Sequence, residues 1–368
     1  PEHPDLARAH KYKVTPLTRG DVQDSSPTFA PDGQLIAFLR NGRLWTMKPD
    51  GSAAAVLVDE PLIIQYAWTP DSKWLVYSRM DGNFASEIYF VPRAGGKPIN
   101  VTRYATRNYG MTFTKDGRRM AFISQRRNDL DVFVMNLQKP AKEGETPSGS
   151  EIDFDDVHLR VERVTALSSE EFEAAIKPDG SQVAFVSTLF NQIDLWSATP
   201  NGAAMNRLTS GGQGPRGLSF GRSGTLYFLD GQGAVRRLMS FGPGSIDRIP
   251  FAAKMKINRH DLFKEMFEEC CRKLKHRFYD PHLHGADWLA VRERYRPLVR
   301  LGAMHEDFYD LVHLMLGELN ASHLGIGGRS RAPESQTAEL GLLFDSRHRG
   351  QGLKIQDVIK QGPADVKG

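Results

Sequence analysis

The chain has 368 residues, enough for two or three domains rather than one. Its 40% hydrophobic and 25% charged residues are the balance of a folded globular protein, not of a disordered one. Its net charge is only +4, from 48 basic and 44 acidic residues, and no apolar run approaches the ~20 residues that span a bilayer, so neither nucleic acid nor a membrane is an expected partner.

The opening residues, Pro1-Glu2-His3-Pro4-Asp5, show no initiator Met and no signal-peptide pattern, as a cut end would. Tyr12-Lys13-Val14-Thr15-Pro16-Leu17-Thr18 reads as a strand, either the last of an earlier repeat or one that closes a ring. A repeated block follows. Ala30-Pro31-Asp32-Gly33, Thr69-Pro70-Asp71-Ser72, Thr114-Lys115-Asp116-Gly117 and Lys177-Pro178-Asp179-Gly180 each precede a hydrophobic run, and Gly221-Arg222-Ser223-Gly224 is a degenerate copy. Asp32, Asp71, Asp116, Asp179 and Ser223 lie 39, 45, 63 and 44 residues apart. That period, ~40–45 residues, is that of a four-stranded propeller blade.

The interior of each copy fits a blade. An apolar residue (Phe29, Trp68, Phe113, Ile176, Phe220) precedes the turn. Pro fixes φ and Gly accepts a positive φ. A second run follows a polar gap, as in Leu44-Trp45-Thr46-Met47 and Ile88-Tyr89-Phe90-Val91. A short strand then ends near Thr, at Val101-Thr102, Val164-Thr165 and Leu208-Thr209. The long interval is read as an exposed insertion over 138–160, with Pro140, Pro147 and the acidic Asp153, Asp155 and Asp156. About five blades are visible, over 1–252.

The period changes near Phe251. Asn258 with Asp261 three residues on is a helix-start signal. Leu262, Phe263, Met266, Phe267, Cys270, Leu274 and Phe278 then keep helical spacing. Gly285-Ala286-Asp287-Trp288 starts a second helix, with Trp288, Val291 and Tyr295 on one face. A third runs from about His305 to Leu319. The adjacent Cys270 and Cys271 are expected to be reduced thiols, one of them in a core, which agrees with a cytoplasmic location.

Two sets of residues carry a resemblance. The repeat copies resemble the propeller repeat of the TolB and tricorn families. Phe278-Tyr279-Asp280-Pro281-His282-Leu283-His284-Gly285-Ala286-Asp287-Trp288, Arg294-Tyr295-Arg296-Pro297-Leu298 and Leu316-Gly317-Glu318-Leu319-Asn320-Ala321-Ser322-His323 look like the first catalytic subdomain of tricorn protease, over roughly 258–328. The resemblance implies a mainly β, multidomain protein. A propeller would lead into a helical catalytic subdomain over 253–331 and the start of a PDZ-like domain over 332–368.

The resemblance also implies a serine peptidase acting on peptides or unfolded proteins, with homo-oligomeric assembly as an option. His323 would be the general base and Ser322 the hydroxyl that orients it, since an imidazole titrates near pH ~6.5 and can pass a proton from nucleophile to leaving amine. In the family the nucleophile and a glutamate come from a later subdomain. The fragment alone is therefore expected to be inactive. The alternative is a TolB-like propeller scaffold with a degenerate protease region.

His282 and His284, with His276, Asp280 and Asp287 nearby, lack a third ligand at motif spacing, so no metal is expected, and no cofactor motif is present. Arg118, Arg119, Arg126 and Arg127 form a local basic patch. Toward the end, 339–344 and 353–359 read as two strands, and Gly362-Pro363-Ala364-Asp365 resembles a PDZ helix start. By the same resemblance Gly341 and Leu342 belong to a carboxylate-binding loop for peptides.

Overall fold

The computed structural model describes residues 15–20, 22–126, 129–139, 151–241, 246–250, 257–328, 340–345 and 347–367. Of the strand expected over 12–18, residues 12–14 lie outside them, as do Arg127, Pro140 and Pro147, and residues 15–18 form no strand. Contacts divide the chain into two units, 1–257 with 272–278, and 258–271 with 279–368.

Among the described residues, the first unit holds five four-stranded antiparallel sheets, each a meander in chain order. The first comprises β1 (Asp24–Phe29), β2 (Ile36–Arg40), β3 (Arg43–Met47) and β4 (Ala55–Val58). The second comprises β5 (Ile63–Trp68), β6 (Trp74–Met80), β7 (Ser86–Pro92) and β8 (Ile99–Asn100). The third comprises β9 (Asn108–Phe113), β10 (Arg119–Gln125), β11 (Leu130–Asn136) and β12 (Val161–Arg163). The fourth comprises β13 (Glu171–Ile176), β14 (Val183–Ser187), β15 (Asp194–Ala198) and β16 (Met205–Arg207). The fifth comprises β17 (Arg216–Phe220), β18 (Leu226–Leu229), β19 (Val235–Leu238) and β20 (Ile246–Arg248). One sheet matches each expected repeat copy.

The repeated turns close in one way. The glycine or serine at the fourth position donates its N–H to the carbonyl three residues back: Gly33 to Ala30, Ser72 to Thr69, Gly117 to Thr114, Gly180 to Lys177 and Gly224 to Gly221. In four of them the aspartate Oδ1 also accepts an N–H two residues on, from Gln34, Lys73, Arg118 and Ser181, at 2.9–3.0 Å. Every first-to-second strand pair also carries a register shift, a bulge that sharpens local twist.

The hydrophobic runs are continuous because both faces of a central sheet are covered. In β10, Met120 and Phe122 pack with Val76, Ile88 and Phe90 of the second sheet, while Ala121 and Ile123 pack with Ile176, Val183 and Phe185 of the fourth. Alternate residues of a strand point to opposite faces, so one run serves two interfaces. Each buried large side chain contributes about 1.5–3 kcal/mol.

In the second, third and fourth sheets a threonine two residues past the fourth strand closes the ladder with its side chain. Oγ1 of Thr102, Thr165 and Thr209 accepts the N–H of Ile88, Val132 and Leu195 at 2.9–3.0 Å. The same hydroxyls donate to Glu87, Asp131 and Asp194 on the third strands. Arg163 and Arg207, two residues before their threonines, pair with Asp131 and Asp194 at 2.6 Å, and Asn100 takes that place beside Glu87. This Arg/Asn-x-Thr clamp escapes a reading of hydrophobic periodicity, because its partners come from a neighbouring strand.

Two expectations need correction. The insertion is not simply a solvated excursion. In its described part, Phe154 packs edge-on against Trp74 (4.9 Å between centroids) and Phe90 (5.6 Å), Val157 is buried, and Asp153 pairs with Lys139 at 2.9 Å. Apolar residues set among its acids supply the docking that composition conceals. The basic patch is likewise dispersed: Arg119 donates to Gly180 O, and Arg126 lies over the Tyr104 and Phe133 rings.

Helix α1 (Arg259–Arg277), whose first thirteen residues belong to the second unit, starts after Asn258, whose Oδ1 accepts the His260 N–H at 3.1 Å. Its core face uses Phe263, Phe267 and Cys271, so Cys271 rather than Cys270 is the buried thiol. Burial pushes the Cys271 pKa up to about 12. Asp287 caps α2 (Trp288–Tyr295) through the Ala290 N–H, and the Trp288 indole donates to Cys271 O. The Asp307 carboxylate accepts the Ala303 and Met304 N–H groups at the start of α3 (His305–Gly317). The final stretch holds β21 (Leu342–Phe344), β22 (Ile355–Val358) and α4 (Pro363–Lys367), with Pro at the first helical position. Among the described residues no helix is long and apolar enough to cross a membrane.

Candidate functional site

Ser322 and His323 fall just beyond α3, whose stripe of Phe308, Val312, Met315 and Leu316 is buried, as is Leu319. The chain tightens as it leaves the helix, with Glu318 N bonding Met315 O, Leu319 N bonding Leu316 O, and Asn320 N bonding Gly317 O at 3.1–3.3 Å. Asn320 (φ 45°) and His323 (φ 59°) both adopt left-handed backbone. That region costs a residue with a Cβ about 1–2 kcal/mol. Asn and His enter it more readily than most. The result is a tight turn on which the Ser322 and His323 side chains are exposed.

Two imidazoles hold this turn. His284 Nδ1 lies 2.9 Å from Leu319 O, upstream of the pair. His313 Nε2 lies 3.1 Å from the Ile326 N, downstream of it. A carbonyl only accepts and an amide N–H only donates, so His284 carries its proton on Nδ1, and His313 keeps a lone pair on Nε2. The segment after the turn runs back along α3. A Cβ at Gly325 would sit 3.7 Å from His313 Nε2, and one at Gly328 would sit 2.0 Å from Tyr309 Oη. A side chain at Gly328 would therefore displace the Tyr309 ring.

The pair's surroundings limit its chemistry. Among the described residues no hydrogen bond joins Ser322 or His323 to a carboxylate. The nearest acid in sequence, Glu318, is engaged with Arg294 at 2.7 Å and Tyr295 at 3.0 Å.

The other expected residues are placed as follows. Asp280 accepts the His282 and His284 N–H groups, which hold its carboxyl below the ordinary range. The His284 ring faces Leu319 and Tyr279. Gly341 (φ 73°) accepts from Ile359 N at 2.8 Å, Leu342 pairs with Val358 in β21–β22, and Leu340 O accepts the Ala364 N–H. Sequence reading missed His313. The available signal was a polar face of α3, His305, Tyr309 and His313 at four-residue steps, opposite the apolar stripe.

The family profile described as "Tricorn protease C1 domain" matches residues 259–317, which are α1 to α3. Tricorn protease homolog 1 of Streptomyces coelicolor is 21% identical over 411 residues, covering 91% of this chain and 37% of that protein. Putative tricorn protease homolog 2 of the same organism is 35% identical over 83 residues, covering 22% of this chain and 7% of that protein. The crystal structure of the tricorn protease superposes with a TM-score of 0.66 at 14% identity, covering 87% of this chain and 36% of that one. The chain thus spans little more than a third of the longer of these matches. Helices α1 to α3 thus match the tricorn protease C1 domain, and with the four-stranded sheets that precede them the chain is similar in sequence and fold to the tricorn protease family.

Proposed function

We propose that these residues supply the base side of a serine peptidase site, with His323 as general base and Ser322 as its orienting hydroxyl. The observation that carries the reading is the exposed, left-handed His323 turn, tied at Leu319 and Ile326 and set directly after the matched helices. Strained backbone persists where surrounding contacts over-determine it, a condition common at active sites. His323 would accept the nucleophile's proton as the hydroxyl attacks the scissile carbonyl, then return it to the leaving amine. On this reading the nucleophilic serine and a glutamate acting on Ser322 come from residues other than these, and Ser322 is not itself the nucleophile. The blades would guide peptides or unfolded protein toward the site, in a homo-oligomer.

The test is fluorophosphonate labelling of the gene's complete translation product beside its His323→Ala variant. Loss of the base should slow labelling by about 100-fold or more. Equal labelling would remove His323 from the mechanism. Peptide turnover by the 368 residues alone, abolished by Ser322→Ala, would instead make Ser322 the nucleophile.

A further inference from the structure

We infer that His284 is a positioning residue for His323, acting through the Leu319 carbonyl; the inference rests on the reading of His323 as the base. A helix end leaves carbonyls without intrahelical partners, which water or a local cap usually satisfies. At α3 the Leu319 carbonyl instead meets a side chain 35 positions upstream. Leu319 is also fully buried, so both its side chain and its carbonyl are fixed. It lies four residues before His323, and the left-handed Asn320 lies between them. Movement at Leu319 is therefore passed directly to the direction in which the His323 imidazole leaves the turn.

The residue is built for this contact. Leu283 (φ 52°) and His284 (φ 55°) are consecutive left-handed residues. That arrangement costs about 1–2 kcal/mol for each. It buries Leu283 and turns the His284 ring to α3. Asp280 Oδ2 accepts the His284 backbone N–H at 2.7 Å and fixes the strained turn. The Tyr279 hydroxyl bonds Nε2, and its ring meets the imidazole edge-on with centroids 5.2 Å apart. The Leu319 carbonyl can only accept, so a proton lies on Nδ1, and Nε2 is left to bond the Tyr279 hydroxyl.

The experiment uses the complete translation product and compares kcat and KM for a peptide substrate in His284→Asn, His284→Gln and His284→Leu. Asn places an N–H where Nδ1 stands, whereas Gln places one where Nε2 stands. Gln and Leu should lower kcat about 10- to 100-fold with KM unchanged, the scale of a small misplacement of a reacting group. Asn should restore kcat to within about 3-fold of the parent. Tyr279→Phe, at a side chain 75% exposed and so outside the core, should lower kcat by a smaller factor. If Leu fails to fold, the Asn and Gln pair decides alone: equal kcat in the two overturns the inference. Normal kcat in Gln or Leu beside an inactive His323→Ala sinks His284 and leaves the base assignment standing. Normal activity in His323→Ala sinks that assignment.

Discussion

In the sheets, Asp194 has no exposed side-chain surface and meets Arg207, the Thr209 hydroxyl and the N–H groups of Gly212 and Gln213. After α3, His323 is exposed on left-handed backbone, and among the described residues no carboxylate reaches it. The first group is complete within its own unit and recurs in kin at Asp131 and Glu87. The second is singular, and only its backbone is secured, by His284 and His313. Side chains closed on themselves build a scaffold. A side chain left open on a fixed backbone is available for chemistry. Replacing sheet residues should therefore move stability and leave His323 chemistry alone.

The largest stability effect is expected at Asp194. Asp194→Ala leaves a guanidinium, a hydroxyl and two N–H groups without their acceptor and should cost about 3 kcal/mol in denaturant unfolding. Asp247→Ala, which breaks the exposed Arg237–Asp247 pair (3.2 Å), should cost under about 1 kcal/mol. Burial alone would raise the Asp194 pKa, but Arg207, Thr209 and the two N–H groups outweigh it and hold the carboxyl below its ordinary range. A depressed folded value means that this stabilisation is present above the unfolded value of ~3.9 and is lost as acid titrates the folded group. Equal costs for the two alanine variants would break the contrast between closed and open polar groups.

Glu171 tests the contrast from inside the sheets. Its Oε1 accepts from Ser169 and Ser187 at 2.9 and 3.0 Å, while its buried Oε2 has no hydrogen-bond partner among the described residues. Burial raises its pKa, and the nearby Asp131 charge adds to the rise. The sign is opposite to that of Asp194. A raised carboxyl contributes stability below the unfolded value of ~4.3, lost as pH rises through the folded value. Glu171→Gln should thus gain on the parent as pH climbs from about 4 to 8, by ~1–3 kcal/mol, the cost of an unsatisfied buried group. A difference that stays flat with pH would mean that Glu171 titrates as it does in the unfolded chain.

The legibility of the chain follows the same division. The turns were readable because Asp32, Asp71, Asp116 and Asp179 do the same work four times, and repetition separates a signal from chance. The fifth sheet's β19 and β20 escaped notice, since Val235–Leu238 and Ile246–Arg248 are short and rich in Arg. The Asp131 and Asp194 clamps were invisible because each joins residues 13 to 34 positions apart through side chains alone. Ser322 and His323 were found by resemblance, not by spacing. His284 was noticed for its His-x-His neighbour, and its contact with Leu319 depends on a left-handed backbone that nothing in Leu283-His284 announces.

The smallest effect tests whether the repeated turns are interchangeable. Ser72 stands where the other four copies have glycine, and it holds φ 60° against 69–80° for Gly33, Gly117, Gly180 and Gly224. Its hydroxyl accepts the Asp32 N–H at 3.0 Å and so links the first two sheets. Ser72→Gly would relieve about 1–2 kcal/mol of backbone strain. It would also lose a hydrogen bond of about 0.5–1.5 kcal/mol and add about 0.5–1 kcal/mol of unfolded-chain entropy. The net change should lie within about 1 kcal/mol of zero. At Gly33→Ala no atom lies within 4 Å of the added Cβ, so about 1–2 kcal/mol of backbone strain is offset only by about 0.5–1 kcal/mol of unfolded-chain entropy, and the net cost should be about 1 kcal/mol. Chemical denaturation followed by tryptophan fluorescence reads both, since Trp45, Trp68, Trp74 and Trp196 lie in the sheets. A Ser72→Gly gain well above 1 kcal/mol would show that the hydroxyl link to Asp32 contributes nothing and that the serine is only a strained stand-in for glycine.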